Sequence, residues 1–449
     1  LFRSDAFGHQ VPFFVRKEFE AFLRCGILAH GFARVYCQEC RFDRLVAFSC
    51  KKRGFCPSCM ARRMSETAAH LVDSVIPPIP TRQWVLSVPT PLRYLMAYDP
   101  EACNFVLHAF TNSVSSFLAL KAKRQLSLSS STGAHSGALT FIQRFGSAMN
   151  LNVHFHTLFT DGVFVESDGQ TQFHPLAEPN PTEIMQITER IAQKVQRWLK
   201  KRLQEESLDE FSEKESLLSA CYRSSIRACS AMGERAGKPL MRMISEPNET
   251  YAAREGRSVS GFNLHASRAI HSEDRLGLEQ LLRYMGRPPI SEDRLSLTSE
   301  GRLVLRLKKP WRDGTSAIIL TPTEFLERLT ALIPPPRKNQ IRYHGVFAPN
   351  GRLRAQIVPK LSQNVCEEAG SGEKQKCPGS GKRWAQLLAR VFDMDVLECP
   401  RCLSRMQRIS FVMERKAIVA ILESLQMATA PPEVARACRS ARQDEFDFA

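Results

Sequence analysis

Apolar positions along the chain change period several times, and each change predicts an element. Residues 10–30 predict a short amphipathic helix, and ARRMSETAAHLVDSVI (61–76) a second one that Pro77 and Pro78 close. TRQWVLSVP (81–89) alternates Trp84, Leu86 and Val88, the period of a strand. Residues 100–124 predict a helix, and the Ser- and Gly-rich stretch 126–137 a loop. GALTFIQRFG (137–146) and NVHFHTLFTDGVFV (152–165) predict two strands joined by SAMNL, followed by a long helical region over 181–233. SVSGFNLHA (258–266) predicts a strand, and residues 273–287 a helix ended by Pro288 and Pro289. RLVLRLKK and TSAIILT predict a strand pair, then TEFLERLTALI a helix. No internal repeat is present.

This order of helices and strands predicts an α+β protein in four parts. A module over 10–65 precedes a large domain over 66–362; a polar, Gly-rich linker over 363–382 leads to a small C-terminal unit, 383–449. No apolar run reaches the length of about 18 residues that a membrane span needs. The first residues lack the apolar stretch of a signal peptide, so the chain reads as cytoplasmic. It opens on Leu1 rather than Met, as a chain read from inside a longer product would.

Charge narrows the partners. The chain carries 62 Lys and Arg against 46 Asp and Glu, a formal +16, which favours nucleic acid or another anionic surface. Eight basic residues (Arg34, Arg41, Arg44, Lys51, Lys52, Arg53, Arg62, Arg63) face only Glu39 and Asp43 in the stretch from Arg34 to Arg63. The run Lys51-Lys52-Arg53-Gly54-Phe55 sets an aromatic ring beside three cations, a pattern suited to phosphates and a stacked base, or else to a solvated basic face.

Six of the fourteen cysteines fall between Cys25 and Cys59, a local density that favours a metal over disulfides. Cys37-x2-Cys40 and Cys56-x2-Cys59, fifteen residues apart, fit a four-thiolate zinc template. Such a closed shell leaves no position for a substrate, so this zinc is expected to be structural. Cys25, Cys50 and His30 remain outside the set; Cys50 is either a substitute ligand or a buried apolar cysteine, and the latter is favoured. Cys399-x2-Cys402 is half of a further site, which Cys366 and Cys377 would complete.

His154 and His156, separated by Phe155, share one face of a strand about 7 Å apart, where both imidazoles can converge on one ion. Two merely exposed histidines would show the same pattern. Imidazoles on general grounds suit a transition metal, whereas magnesium prefers oxygen. His265 and Gln143, on neighbouring strand-like segments, are candidates for a third ligand. Tyr284 lies near the end of a helix between Arg283 and Arg287. A phenol is a poor nucleophile unless assisted, and flanking cations and a metal-polarised phosphate would assist it.

Taken together, the segments CQECRFDRLVAFSCKKRGFCPSCMARRM, RQWVLSVP, TFIQRFGSAMNLNVHFHTLFTDGVF, FNLHA, LLRYMGRPPISEDRLSL, LKKPWRDGT, PTEFLERLTALIPPPR, RYHGVFAPNGRLRAQIVP and DVLECPRC resemble one family. They are similar to the rolling-circle, HUH-superfamily transposases of the insertion sequence 91 family, and to their common-region, single-tyrosine branch. The resemblance covers about residues 15–360 and the tail around Cys399. It implies an HUH-endonuclease domain: a central antiparallel sheet flanked by helices, with the histidine pair on a central strand. It implies that His154 and His156 hold a divalent ion, magnesium or manganese, and that Tyr284 attacks a single-stranded DNA at the element ends to leave a 5′-phosphotyrosine. Lys51, Lys52, Arg53, Arg62, Arg63, Arg283 and Arg287 are the expected DNA contacts. A bacterial, nucleoid-associated location follows, and self-association stays open. Pro288 stands where many members have a second tyrosine, which argues against two tyrosines alternating on one helix. A relaxase or replication initiator would use the same chemistry; a zinc-dependent DNA-binding protein or an inactivated transposase would use none.

Overall fold

The structure, a computed structural model, describes residues 11–167, 169–205, 216–244, 258–290, 292–359 and 397–432. Its helices are α1 (Phe13–Phe22), α2 (Pro57–Ser74), α3 (Thr90–Tyr98), α4 (Pro100–Gln125), α5 (Pro181–Glu205), α6 (Leu217–Arg227), α7 (Arg275–Met285), α8 (Pro322–Leu332), α9 (Arg354–Ile357) and α10 (Arg415–Ser424). Its strands are β1 (Phe32–Tyr36), β2 (Asp43–Ala47), β3 (Thr81–Ser87), β4 (Ala134–His135), β5 (Gly137–Phe145), β6 (Leu151–Thr160), β7 (Gly162–Ser167), β8 (Gln170–Pro175), β9 (Met241–Ile244), β10 (Asn263–Ile270), β11 (Leu295–Leu297), β12 (Leu303–Arg306), β13 (Thr315–Leu320), β14 (Ile341–Gly345) and β15 (Gln407–Val412). The fold is α+β, and every ladder between these strands is antiparallel.

The compact units do not follow chain order. Among the described residues, one is built from 11–19 and 52–359, the other from 20–51 and 397–432. The expected linker over 363–382, with Cys366 and Cys377, lies outside the described residues.

In the larger unit a five-stranded sheet runs β10-β3-β6-β5-β14, so β6 is central. Alternation along β6 sends its residues to two cores. Val153, Phe155 and Phe159 join Trp84 and Phe110 from α4. Leu158, on the opposite face, joins Leu71 of α2 and Leu278, Leu281 and Leu282 of α7. The two helix layers exclude water from both faces, so the polar residues His154, His156, Thr157 and Thr160 of β6 are buried along with its apolar ones. The run 152–165 is not one strand but β6 and β7, broken at Asp161. There the Asp161 carboxylate receives Arg82 of β3 in two contacts of 2.9 Å, and Arg82 also pairs with Glu178 at 2.7 Å.

Helix α7 starts where the Asp274 side chain accepts the Gly277 N–H at 2.8 Å and ends at Gly286. Its stripe of Leu278, Leu281, Leu282 and Met285 faces the core, which leaves Tyr284 to one side, 42% exposed. In the smaller unit β1 is the middle strand of a three-stranded sheet, β15-β1-β2. Phe32 of β1 packs with Val412 of β15 and with Ile418 and Leu422 of α10.

Candidate functional site

His154 and His156 point from the centre of β6 to the face that α2 and α7 cover, and are 8% and 5% exposed. Their Nε2 atoms are 3.1 Å apart. The His156 and Tyr284 rings meet edge to face with centroids 5.9 Å apart. Two imidazoles and a phenol that lie about 130 residues apart in sequence thus share one site, and the half-exposed phenol gives it access to solvent.

A chain of hydrogen bonds sets the tautomers. The Asn152 carbonyl can only accept, so His154 Nδ1 donates to it at 2.8 Å. His154 Nε2 is then an acceptor, and the 3.1 Å contact requires His156 Nε2 to donate. His156 Nδ1 in turn accepts from Gln83 Nε2 of β3 at 3.0 Å. Burial, aided by Arg287 and Arg93, holds His154 below the ordinary histidine range. Burial, then His154 and Arg287, pushes His156 down to about 3. Both rings are therefore neutral at physiological pH, the state a metal ligand needs.

The donor set fits an ion. Nitrogen ligands stand about 2.0–2.1 Å from a bound ion, and two atoms 3.1 Å apart satisfy that together. For both Nε2 lone pairs to face the ion, the His156 proton has to sit on Nδ1, where the Gln83 amide, turned over, offers Oε1. Gln143 of β5 pairs across the ladder with His154 and so shares its face. Its Nε2 donates to the Met285 carbonyl at 2.6 Å, next to Tyr284, while its Oε1 is buried without a hydrogen-bond partner. Asn152 Oδ1, on the same face of β6, is a second buried orphan. Such orphans are rare in folded proteins and here mark oxygen donors beside the histidines. His265 is exposed on β10, where Val85 stands between it and His156 in the ladder.

The basic residues divide. Arg287 stacks 4.4 Å from the Tyr284 ring centroid and 5.8 Å from that of Phe145, a cation held at the phenol. Arg283 pairs with Glu279 at 2.6 Å, and Arg62 with Glu66 at 2.8 Å. Arg63 is exposed on α2, which packs on α7. Arg53 Nη1 donates to the Lys338 carbonyl at 3.3 Å. Lys51 falls in the smaller unit, Lys52 and Arg53 in the larger. Phe55 does not serve as a stacking platform: it is 1% exposed, 4.7 Å from the Phe19 ring in a core. Gly54 belongs to the same packing, for its N–H donates to Glu18 Oε1 at 2.6 Å, and a Cβ there would meet that oxygen at 2.8 Å.

The cysteines are grouped differently from the sequence-based expectation of one set made by Cys37, Cys40, Cys56 and Cys59. Cys37 and Cys40 are joined by Cys399 and Cys402 in the smaller unit. Cys56 and Cys59 open α2 in the larger unit. The spacing of two C-x2-C pairs says that each pair forms a turn, but not which turns meet. Cys25 and Cys50 adjoin each other, the Cys50 N–H pointing at Cys25 Sγ at 3.3 Å, a donor–thiol contact rather than apolar burial.

With this geometry in place, the comparisons give the class. Residues 137–355 match a family model described as "Putative transposase", and residues 2–88 one described as "Transposase zinc-binding domain". The first contains His154, His156 and Tyr284, the second Cys25 to Cys59. No curated protein and no solved structure matches. The protein is a transposase with an N-terminal zinc-binding domain. It belongs to the insertion sequence 91 family. Among the described residues, no helix is long and apolar enough to cross a membrane.

Proposed function

We propose that the chain nicks single-stranded DNA at the ends of its own element through Tyr284 and moves the element by a rolling-circle route. The observation that carries this reading is the meeting of Tyr284 with His156, at 5.9 Å between ring centroids, beside the convergent Nε2 pair. A protein that only binds DNA has no need of a buried imidazole pair under an accessible phenol. In the proposed step the Tyr284 oxygen forms a bond to phosphorus and the bond to the 3′ oxygen breaks. The phenol loses its proton and the 3′ oxygen takes one up. The products are a 5′-phosphotyrosine and a free 3′ hydroxyl, and attack by a 3′ hydroxyl reverses the step.

His154 and His156 are the proposed holders of a divalent ion, magnesium or manganese, with Gln143 Oε1 as the third donor. Such an ion, when bound, polarises the scissile phosphate. Arg287 holds a phosphate oxygen beside the phenol. Arg283, Arg62, Arg63, Lys51, Lys52 and Arg53 give the strand further positive charge. Pro288 leaves one tyrosine on this helix, so strand transfer here uses Tyr284 alone. Structural zinc belongs to the same reading. The match to the zinc-binding family model spans Cys25, Cys37, Cys40, Cys50, Cys56 and Cys59, and thiolates of this kind suit a structural zinc ion.

A mini-element carried on a plasmid tests the role. The wild-type chain is expected to mobilise it and to release DNA with a 3′ hydroxyl that a polymerase extends. His154→Ala/His156→Ala is expected to do neither while still binding DNA. Mobilisation by that variant would remove the histidine pair from the mechanism. Nicking without mobilisation would point to a relaxase or replication initiator.

A further inference from the structure

We infer that Cys37, Cys40, Cys399 and Cys402 bind a structural zinc ion that builds the C-terminal segment into the zinc-binding part of the protein. The match to the zinc-binding domain family ends at residue 88, so it does not include Cys399 or Cys402. The inference is independent of the chemistry at Tyr284.

Four observations carry it. First, the thiols converge. Cys37 Sγ lies 3.4 Å from Cys402 Sγ and Cys40 Sγ 3.4 Å from Cys399 Sγ, and all four sulfurs fall within 4.8 Å of one another. Zinc–sulfur bonds of about 2.3 Å in a tetrahedron separate sulfurs by roughly 3.8 Å. The observed separations bracket that value and are far longer than the roughly 2.05 Å of a disulfide, and all four cysteines are free.

Second, the two turns have the same construction. The Cys37 N–H donates to the Phe42 carbonyl at 2.9 Å, and the Cys399 N–H to the Ser404 carbonyl at 2.9 Å, five residues on in each case. The residue after the second cysteine is left-handed in both, Arg41 at φ 56° and Leu403 at φ 60°. A left-handed non-glycine residue is uncommon. Its occurrence at the same place in two turns that face each other shows a geometry built to aim two thiolates from each side.

Third, the strands agree. The first turn joins β1 to β2, and the second leads into β15, which lies on the other side of β1. Tyr36 of β1 pairs with Asp43 on one side and Gln407 on the other, so the ladders bring both turns to the same end of the sheet.

Fourth, the environment suits a closed site. Cys37 and Cys399 are buried with Val35 and Met406, and Cys40, Phe42, Val46 and Leu397 pack around them. Four thiolates at one point would repel one another without a cation, whereas a four-sulfur shell around zinc is closed and holds the fold.

The consequence concerns assembly. Cys40 and Cys399 are 359 residues apart, so this site closes only when the C-terminal segment is in place. Residues 397–424 are then a structural part of the unit that β1 and β2 begin, not an appendage.

The test uses the full chain, purified with its metal, and counts zinc and iron by elemental analysis. Cys399→Ser/Cys402→Ser is expected to lower zinc by one equivalent per chain, while Cys229→Ser leaves it unchanged. Because a variant can fail to fold, a second measurement uses the wild type alone, with thiol alkylation read residue by residue. Cys37, Cys40, Cys399 and Cys402 are expected to be protected together and to become reactive together when a chelator removes zinc. Alkylation of Cys399 and Cys402 in the zinc-loaded protein, with Cys37 and Cys40 still protected, overturns the inference. So does unchanged zinc in the double variant, and stoichiometric iron in place of zinc overturns the choice of metal.

Discussion

Gln83 offers a sharp perturbation of the site, because its amide can serve His156 in two ways. In the arrangement described, Gln83 Nε2 donates to His156 Nδ1 at 3.0 Å, and His156 Nε2 donates to His154. Holding an ion requires the opposite tautomer of His156, with Nδ1–H donating to Gln83 Oε1. Gln83→Leu keeps the volume and removes both options. Loss of such a partner lowers metal affinity about 10–100-fold, which is about 1.4–2.7 kcal/mol. The effect should fall in the upper half of that range, since Gln83 and His156 are both buried and no water replaces the amide. The fold loses one hydrogen bond, about 1 kcal/mol net. The assay is a manganese titration of the zinc-loaded chain followed by electron paramagnetic resonance. Gln83→Glu should restore binding, since a carboxylate accepts Nδ1–H. Manganese affinity of Gln83→Leu within twofold of wild type would refute the tautomer argument.

Three other expectations concern buried charge and the metal donors. His154 and His156, and His344, held down to about 4, are all lowered by burial. The unfolded chain takes up these protons near pH 6.5 and the folded one does not, so stability is full above about 6.5 and falls as pH drops toward 4. His156 and His344 each contribute a limiting slope of about 1.4 kcal/mol per pH unit below 6.5, and His154 acts in the same direction; urea midpoints of metal-free protein at pH 7, 6 and 5 measure it, and a flat profile contradicts the burial argument. Arg82→Met strips a buried cation from Asp161 and Glu178 and should cost about 3–5 kcal/mol, seen as a lower Tm; a change under 1 kcal/mol would mean the triad is not what joins β3 to the β6–β7 corner. Gln143→Leu removes both the orphan Oε1 and the bond to Met285, so manganese binding should weaken at least about tenfold (about 1.4 kcal/mol); unchanged binding would exclude Gln143 as the third donor.

How much of this was legible in the chain depends on the range of each interaction. Alternation along 152–160 is enough to put His154 and His156 on one face, and the helix expected over 273–287 to put Tyr284 near its end, between Arg283 and Arg287. That the two faces meet was not, because no local pattern relates β6 to a helix about 130 residues on. The strand expected through residue 165 breaks at Asp161, since the partner that pins it, Arg82, is on β3. The basic run at 51–55 read as a DNA loop, yet Phe55 and Gly54 are consumed by packing against Phe19 and Glu18. The helix expected over 10–30 ends at Phe22, where the chain turns toward Cys25 and its contact with Cys50. The cysteine spacing marks two turns but not which turns meet, and the structure sets beside Cys37 and Cys40 a third turn, Cys399 and Cys402, near the other end of the sequence.

The most direct measurement is the identity of the residue that becomes joined to DNA. The full chain is incubated with manganese and single-stranded oligonucleotides tiling the DNA that flanks its own coding sequence, then digested and analysed by mass spectrometry. One modified peptide is expected, carrying a 5′-phosphonucleotide on Tyr284, with no adduct from Tyr284→Phe. A nucleotide on any other residue, or an adduct that persists in Tyr284→Phe, would contradict the role proposed for Tyr284.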